Sequence, residues 1–264
     1  MTMPDPAPVI FAGHGHPIIA LRKNAFAESL SALGRRIEKP RAVLVVSAHW
    51  LTRSIFVSKS TRPDTIHDFG NFDPGLFEIE YPCPGSPDVA DEILELLIGL
   101  PVESVDRGLD HGAWQVLMYL FPEANIPILQ ISLDMTLKPA DHCKLARMLA
   151  PLRDRGILIL ASGNICHNLY ELNWNDENAP VDPRIESFDV WVKHRLNEGD
   201  IESLSNFQQE QNSQYSVPTI DHYLPLLYAA ALRQEHEKIE YFYEGFNYRT
   251  LSMRSFIFGQ NGKA

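Results

Sequence analysis

Arg41–Trp50 reads RAVLVVSAHW: five apolar residues, Ala42 to Val46, followed by Ser47, Ala48 and His49. A short, β-branched, uncharged run of this kind is the pattern of a strand buried on both faces of a parallel sheet. Open α/β sheets bind ligands where the chain leaves the carboxyl ends of such strands, and His49 is expected at that exit. Two further stretches repeat the arrangement. Pro8–Pro17, PVIFAGHGHP, delivers His14, and Gly156–His167, GILILASGNICH, delivers His167. Three buried strands that each end in small residues and a histidine imply imidazoles converging on one metal. Imidazole serves zinc, iron, copper and nickel alike, so the spacing does not name the ion.

Around these strands the periodicity alternates between helix and strand, the signature of an α/β protein. Ala25–Ile37 carries Phe26, Leu30, Leu33 and Ile37 near the helical repeat, and Ile55–Ser58 reads as a short strand. Ser86-Pro87 places an N-cap and an N1 proline ahead of DVADEILELL. Asp110 and His111 fall in a turn before a helix over Ala113–Phe121, and Ile126–Leu133 is the next strand. Helices follow from Pro139 through Arg153 and from Asp182-Pro183, the latter with Ile185, Phe188 and Val192 inward. A helix over Ile220–Arg233 carries His222 in its first turn, and Ile239–Tyr243 and Leu251–Phe258 read as closing strands. Residues 198–217 show no usable period. With no repeat and no linker, one domain over 1–264 is expected.

Thr61–Pro87 stands apart as a long, aperiodic segment rich in Pro, Gly, Asp and aromatics. Segments of that kind are usually functional. His67, Phe69, Phe72, Phe77 and Tyr81 make it a wall of the expected site.

A net charge of −11, with no cluster of Lys and Arg, excludes a phosphate backbone as the partner. Cys83, Cys143 and Cys166 form no CxxC pair, which points to reduced thiols and a cytoplasmic setting. MTMPDPAPVIF lacks the basic region and the long apolar run of a signal peptide. No apolar stretch approaches the ~20 residues that span a bilayer, so membrane association is not expected.

The ten histidines divide by context. His236 and His194 lie in charged runs and read as solvated; His142 is in line with Leu145, Leu149 and Leu152 and reads as packing. His14, His49 and His167 each follow a buried strand. His222 joins them from a helix start. His67 and His111 sit beside Asp68 and Asp110, where supporting or acid–base roles are open. Cys166 adjoins His167, but consecutive residues leaving a strand point in opposite directions, so it reads as a buried, inert thiol.

GHGHP, VVSAHW, TIHDFG, YPCPGSP, GLDHGAW, SGNICHN, DHYLPLLY and LSMRSF, in that order over nearly the whole chain, resemble the DODA-type extradiol ring-cleavage dioxygenases of the LigB-like class III superfamily. The resemblance implies a single three-layer α/β/α domain with a central mixed, largely parallel sheet. It implies that His14, His49 and His222 hold the metal, that His167 is a further ligand or the catalytic base, and that His111 lines the site as a second catalytic group. It implies Fe(II) as the active ion, with Zn(II) able to occupy the same nitrogens, and a catechol such as DOPA, cleaved at the 4,5 bond, with dioxygen as co-substrate. Assembly into a homo-oligomer is left open. One residue departs from the family pattern: GHGSP is usual, and His16 stands in place of the serine. The alternatives are a zinc hydrolase and a non-catalytic, Memo-like binding protein on the same scaffold.

Overall fold

The structure, a computed structural model, describes residues 5–70 and 72–259. Residues 1–4, the start of the MTMPDPAPVIF stretch, Asn71 in the aromatic segment and residues 260–264 lie outside the described residues. The strands are β1 (Val9–Gly13), β2 (Ala42–Thr52), β3 (Ile55–Ser58), β4 (Val102–Val105), β5 (Ile128–Asp134), β6 (Ile157–Gly163), β7 (Glu240–Tyr243), β8 (Phe246–Asn247), β9 (Leu251–Ser252) and β10 (Ser255–Phe258). Among the described residues, eight of them form one sheet in the order β4-β3-β5-β2-β6-β1-β10-β7, and β8 and β9 form a separate ribbon. The centre, β5-β2-β6-β1, is parallel; β10, β7 and the β3–β5 junction are antiparallel.

The helices are α1 (Ala25–Arg36), α2 (Pro87–Leu96), α3 (His111–Leu120), α4 (Pro139–Met148), α5 (Pro151–Asp154), α6 (Pro183–Glu198), α7 (Ile201–Ser205), α8 (Ser213–Ser216) and α9 (Leu224–Ala231). Side chains on a strand alternate between faces, and β2 shows how that builds two cores. Ala42, Leu44 and Val46 pack with α2, α4, α6 and α9 on one face. Val43 and Val45 pack with α1 and α3 on the other. All five are fully buried, and each Val or Leu contributes roughly 1.5–3 kcal/mol by leaving water. The result is the three-layer α/β/α sandwich with a mixed sheet that the family resemblance implies. Asn24, Asp110 and Asp182 cap α1, α3 and α6 by accepting backbone N–H groups.

Several boundaries differ from expectation, each for a local reason. β2 does not end before His49 but continues to Thr52, because its pairing with β5 slips between Val46 and Leu51. His49 therefore sits in an irregularity within a strand, not beyond its end. His111 is the first residue of α3 rather than part of the preceding turn, since Asp110 caps the helix. The helix expected from Pro139 to Arg153 breaks into α4 and α5 at Pro151, whose ring cannot continue it. His222 precedes α9 instead of occupying its first turn. Leu251–Phe258 divides into β9 and β10, which pair with different partners. β4 was not anticipated. Ser86 does not cap α2 through its side chain; its hydroxyl donates to Asp88 instead.

Candidate metal centre

Five of the predicted histidines meet above the carboxyl ends of β1, β2 and β6, together with His16. His14 follows β1 through Gly13, and its ring is 1% exposed. Gly15 beside it has φ +63°, a conformation other residues rarely adopt, and a Cβ there would lie 2.6 Å from Met253 Sδ. Gln115 Nε2 donates to His14 O at 2.7 Å and fixes this loop against α3.

The hydrogen bonds around the rings define which nitrogens are free. Ser162 donates its hydroxyl to Gly112 O at 2.5 Å, so toward His14 Nδ1, 3.0 Å away, it acts as acceptor. His14 then carries its proton on Nδ1 and presents the Nε2 lone pair. Asp221 does the same for His222 by accepting from its Nδ1. Asp68 faces two rings, with Oδ1 at 3.0 Å from His111 Nδ1 and Oδ2 at 3.6 Å from His49 Nδ1. His14 Nε2 and His49 Nε2 end 3.0 Å apart. Lone pairs aimed at one another at that distance repel unless a proton or a cation lies with them. The donor set fits a divalent metal.

Ring centroids of His14, His49 and His222 lie 5.0, 5.3 and 4.9 Å apart pairwise. Two tight groupings exist within the cluster. Candidate ligand atoms of His14, His49 and His111 all lie within 4.8 Å of one another, as do those of His167, Asp221 and His222. His167 stacks on His222 with centroids 3.4 Å apart and planes within 6°. Its backbone N–H bonds to Ser216 O, which brings it four residues beyond β6 back to the centre.

Electrostatics keep His14, His16, His49 and His167 neutral. Burial, followed by neighbouring imidazoles, lowers His14, His49 and His167 well below the usual histidine value. His16 falls to about 4, through burial first and then His111 and Arg22. Burial alone would raise the Asp68 and Asp221 carboxyls, but the facing histidines outweigh it and hold both low. Neutral rings beside ionised carboxylates are the state a cation requires.

The cavity over the cluster measures about 170 Å³. Phe69 and Phe72 line it, as expected of the aromatic segment, but other members of that segment do not. His67 turns away, with Nε2 on Ile79 O, and Tyr81 is core, its hydroxyl donating to Phe121 O. Phe77 packs behind Phe69 at 5.2 Å. Leu169, Leu172, Trp174 and Leu251 complete the wall and were not identified from sequence. His142 is buried against Tyr228, His194 and His236 are exposed, and Cys166 is a buried thiol facing Ile185 O, all as read. A larger hollow of about 440 Å³ near Arg233 holds no histidine, and Arg233 there is spent on backbone carbonyls.

Gly112 gives His49 its room. A Cβ at this position would lie 2.9 Å from His49 Cδ2 and 2.6 Å from Ser47 Oγ. Gly112→Ala is therefore expected to displace the ring and lower kcat/KM by up to ~10²-fold, the cost of about 1 Å of misplacement. Steady-state kinetics with metal analysis check this; unchanged kinetics would mean that His49 has slack.

The chain matches the family described as the catalytic LigB subunit of aromatic ring-opening dioxygenase over residues 5–259. It is 41% identical to the 4,5-DOPA dioxygenase extradiol of Escherichia coli over 258 residues, covering 96% of this chain and 94% of that protein. Its identity to the 4,5-DOPA dioxygenase extradiol of Beta vulgaris is 35% over 260 residues, covering 94% and 95%. The crystal structure of an uncharacterized protein from Escherichia coli superposes with a TM-score of 0.83 at 37% identity, covering 95% of this chain and 99% of the other.

Proposed function

Because this chain belongs to the LigB family of aromatic ring-opening dioxygenases and is a metal-dependent extradiol ring-cleaving enzyme, we propose that it opens DOPA or a close catechol at the 4,5 bond on Fe(II) held by His14, His49 and His222. The observation carrying the ligand assignment is the pair of Nε2 atoms 3.0 Å apart, with the proton of His14 held on the far side of the ring by Ser162. DOPA is the substrate named for the relatives, and a cavity of about 170 Å³ suits one ring. Drug-sized ligands take ~300–1,000 Å³.

Fe(II), when bound, supplies open positions for catechol and dioxygen and the electron path between them. The protein's own groups handle protons and shape. His167, kept unprotonated by burial, takes a catechol proton, and His111, oriented by Asp68, serves the second transfer. Phe69, Phe72 and Trp174 exclude water and fix the ring plane. Both atoms of dioxygen enter the product, a hydroxymuconic semialdehyde type, which for DOPA is 4,5-seco-DOPA. We read 1–264 as one catalytic domain. The cytoplasmic setting is supported by three buried, free cysteines.

Anaerobic loading with Fe(II) or Zn(II), followed by an oxygen electrode, tests this reading. The iron protein is expected to consume one dioxygen per catechol and form a yellow ring-opened product, while the zinc protein consumes none. Zinc protein hydrolysing an ester or amide without oxygen would overturn it in favour of the hydrolase.

A further inference from the structure

His16, the residue that departs from the family pattern, has a defined chemical polarity. Its Nδ1 accepts the N–H of Ile18 at 3.1 Å, capping the short 3-10 turn Pro17–Leu21. A ring nitrogen that accepts carries no proton, so the neutral ring bears its proton on Nε2. No protein acceptor meets that Nε2–H among the described residues. The ring lines the same cavity as the metal cluster. It is held by Phe72, Trp174 and Tyr248 at centroid distances of 4.6, 5.7 and 5.7 Å.

Away from the histidine cluster, then, the polar ring atoms of the cavity lining, His16 Nε2–H and the indole N–H of Trp174, are donors set in aromatic and aliphatic walls. Arg22 lies nearby but is paired with Glu177, so its charge is committed within the protein. The carboxylate on that side, Glu177, is occupied by Arg22 at 2.9 Å and Asn247 at 3.0 Å, so it is committed within the protein. A substituent that brings an anionic acceptor finds a partner here; one that brings an ammonium does not.

We propose that His16 is a specificity-determining residue whose Nε2–H donates to a carboxylate oxygen on the side chain of the catechol. The enzyme thereby favours carboxylate-bearing catechols over amine-bearing or alkyl ones. The inference rests on the ring-opening reading of this cavity, and equilibrium binding separates the two.

The test is anaerobic titration calorimetry on Zn(II)-loaded protein, with 3,4-dihydroxyphenylacetate, dopamine and 4-methylcatechol as probes. His16→Ser keeps an oxygen able to cap Ile18 N–H but is too short to reach the cavity. It is expected to weaken 3,4-dihydroxyphenylacetate roughly 10–100-fold, the loss of one charge-assisted hydrogen bond, and to leave the other two probes and the metal content unchanged. His16→Gln, which restores an N–H donor, should recover part of the loss. Equal weakening of all three probes would make His16 only a wall, and selective weakening of dopamine would make it an acceptor; either overturns the proposal. So does wild-type protein that binds none of the three. Oxygen uptake by the iron protein is read separately and bears only on the ring-opening reaction.

Discussion

His49→Ala is expected to fold normally, lose its metal and lose ring-opening activity with it. The imidazole presents Nε2 3.0 Å from His14 Nε2, and its backbone is set by the slip in β2–β5 pairing rather than by its own side chain. Truncation therefore removes a donor without opening either hydrophobic core. Changing a group that merely orients a metal ligand typically costs 10–100-fold in metal affinity, so removing a ligand should cost more than about 100-fold. Elemental analysis after dialysis reads the result, and full occupancy would refute the assignment. The apoprotein gives an independent check. Burial lowers the His14, His49 and His167 values in the fold below the reference of 6.5. Below pH 6.5 the unfolded chain binds protons that the folded one refuses. Apoprotein stability is thus fully present above that pH and falls as pH drops below it. The variant lacks one such group and should lose less stability on acidification.

The layer architecture was legible because Ala42–Val46, Val9–Ala12 and Ile157–Ala161 are buried on both faces and their composition has little other use. Convergence of His14, His49 and His167 followed from their place after such runs. The detailed placement was not legible. Nothing in VVSAHW announces that β2 slips against β5, since register depends on the partner strand. β4, VESV, escaped because an edge strand with exposed Glu103 and Ser104 carries no buried face to read. Asp68 was noticed only as a neighbour of His67, yet it is the residue that faces the histidine cluster while His67 turns away. Opposite orientation of adjacent residues in extended chain could have separated them, as it did for Cys166 and His167. Trp174, in the loop after β6, and Leu251, on β9, are far apart in sequence and become walls only once the fold brings them together. His16 was visible as a departure, but its proton position needed the Ile18 contact.

His167→Ala is expected to retain metal and bind catechol, yet turn over about 10²–10⁴-fold more slowly, the usual loss when a general acid–base group is removed. The ring lies flat on His222 at 3.4 Å, so it stands beside a proposed ligand rather than opposite it. It groups tightly with Asp221 and His222, which puts a carboxylate and a second imidazole within 4.8 Å of its own ring nitrogen. Burial first, and His222 next, hold it unprotonated at neutral pH, the state in which a base can accept a catechol proton. Asp221, ionised and bonded to His222, is near enough to stabilise the imidazolium once formed. A pure ligand predicts something else: metal affinity and activity falling together. Metal content and single-turnover rate measured on one preparation of the variant distinguish the two. Full metal with a slow chemical step identifies the base, joint loss identifies the ligand, and a wild-type rate with full metal excludes both roles.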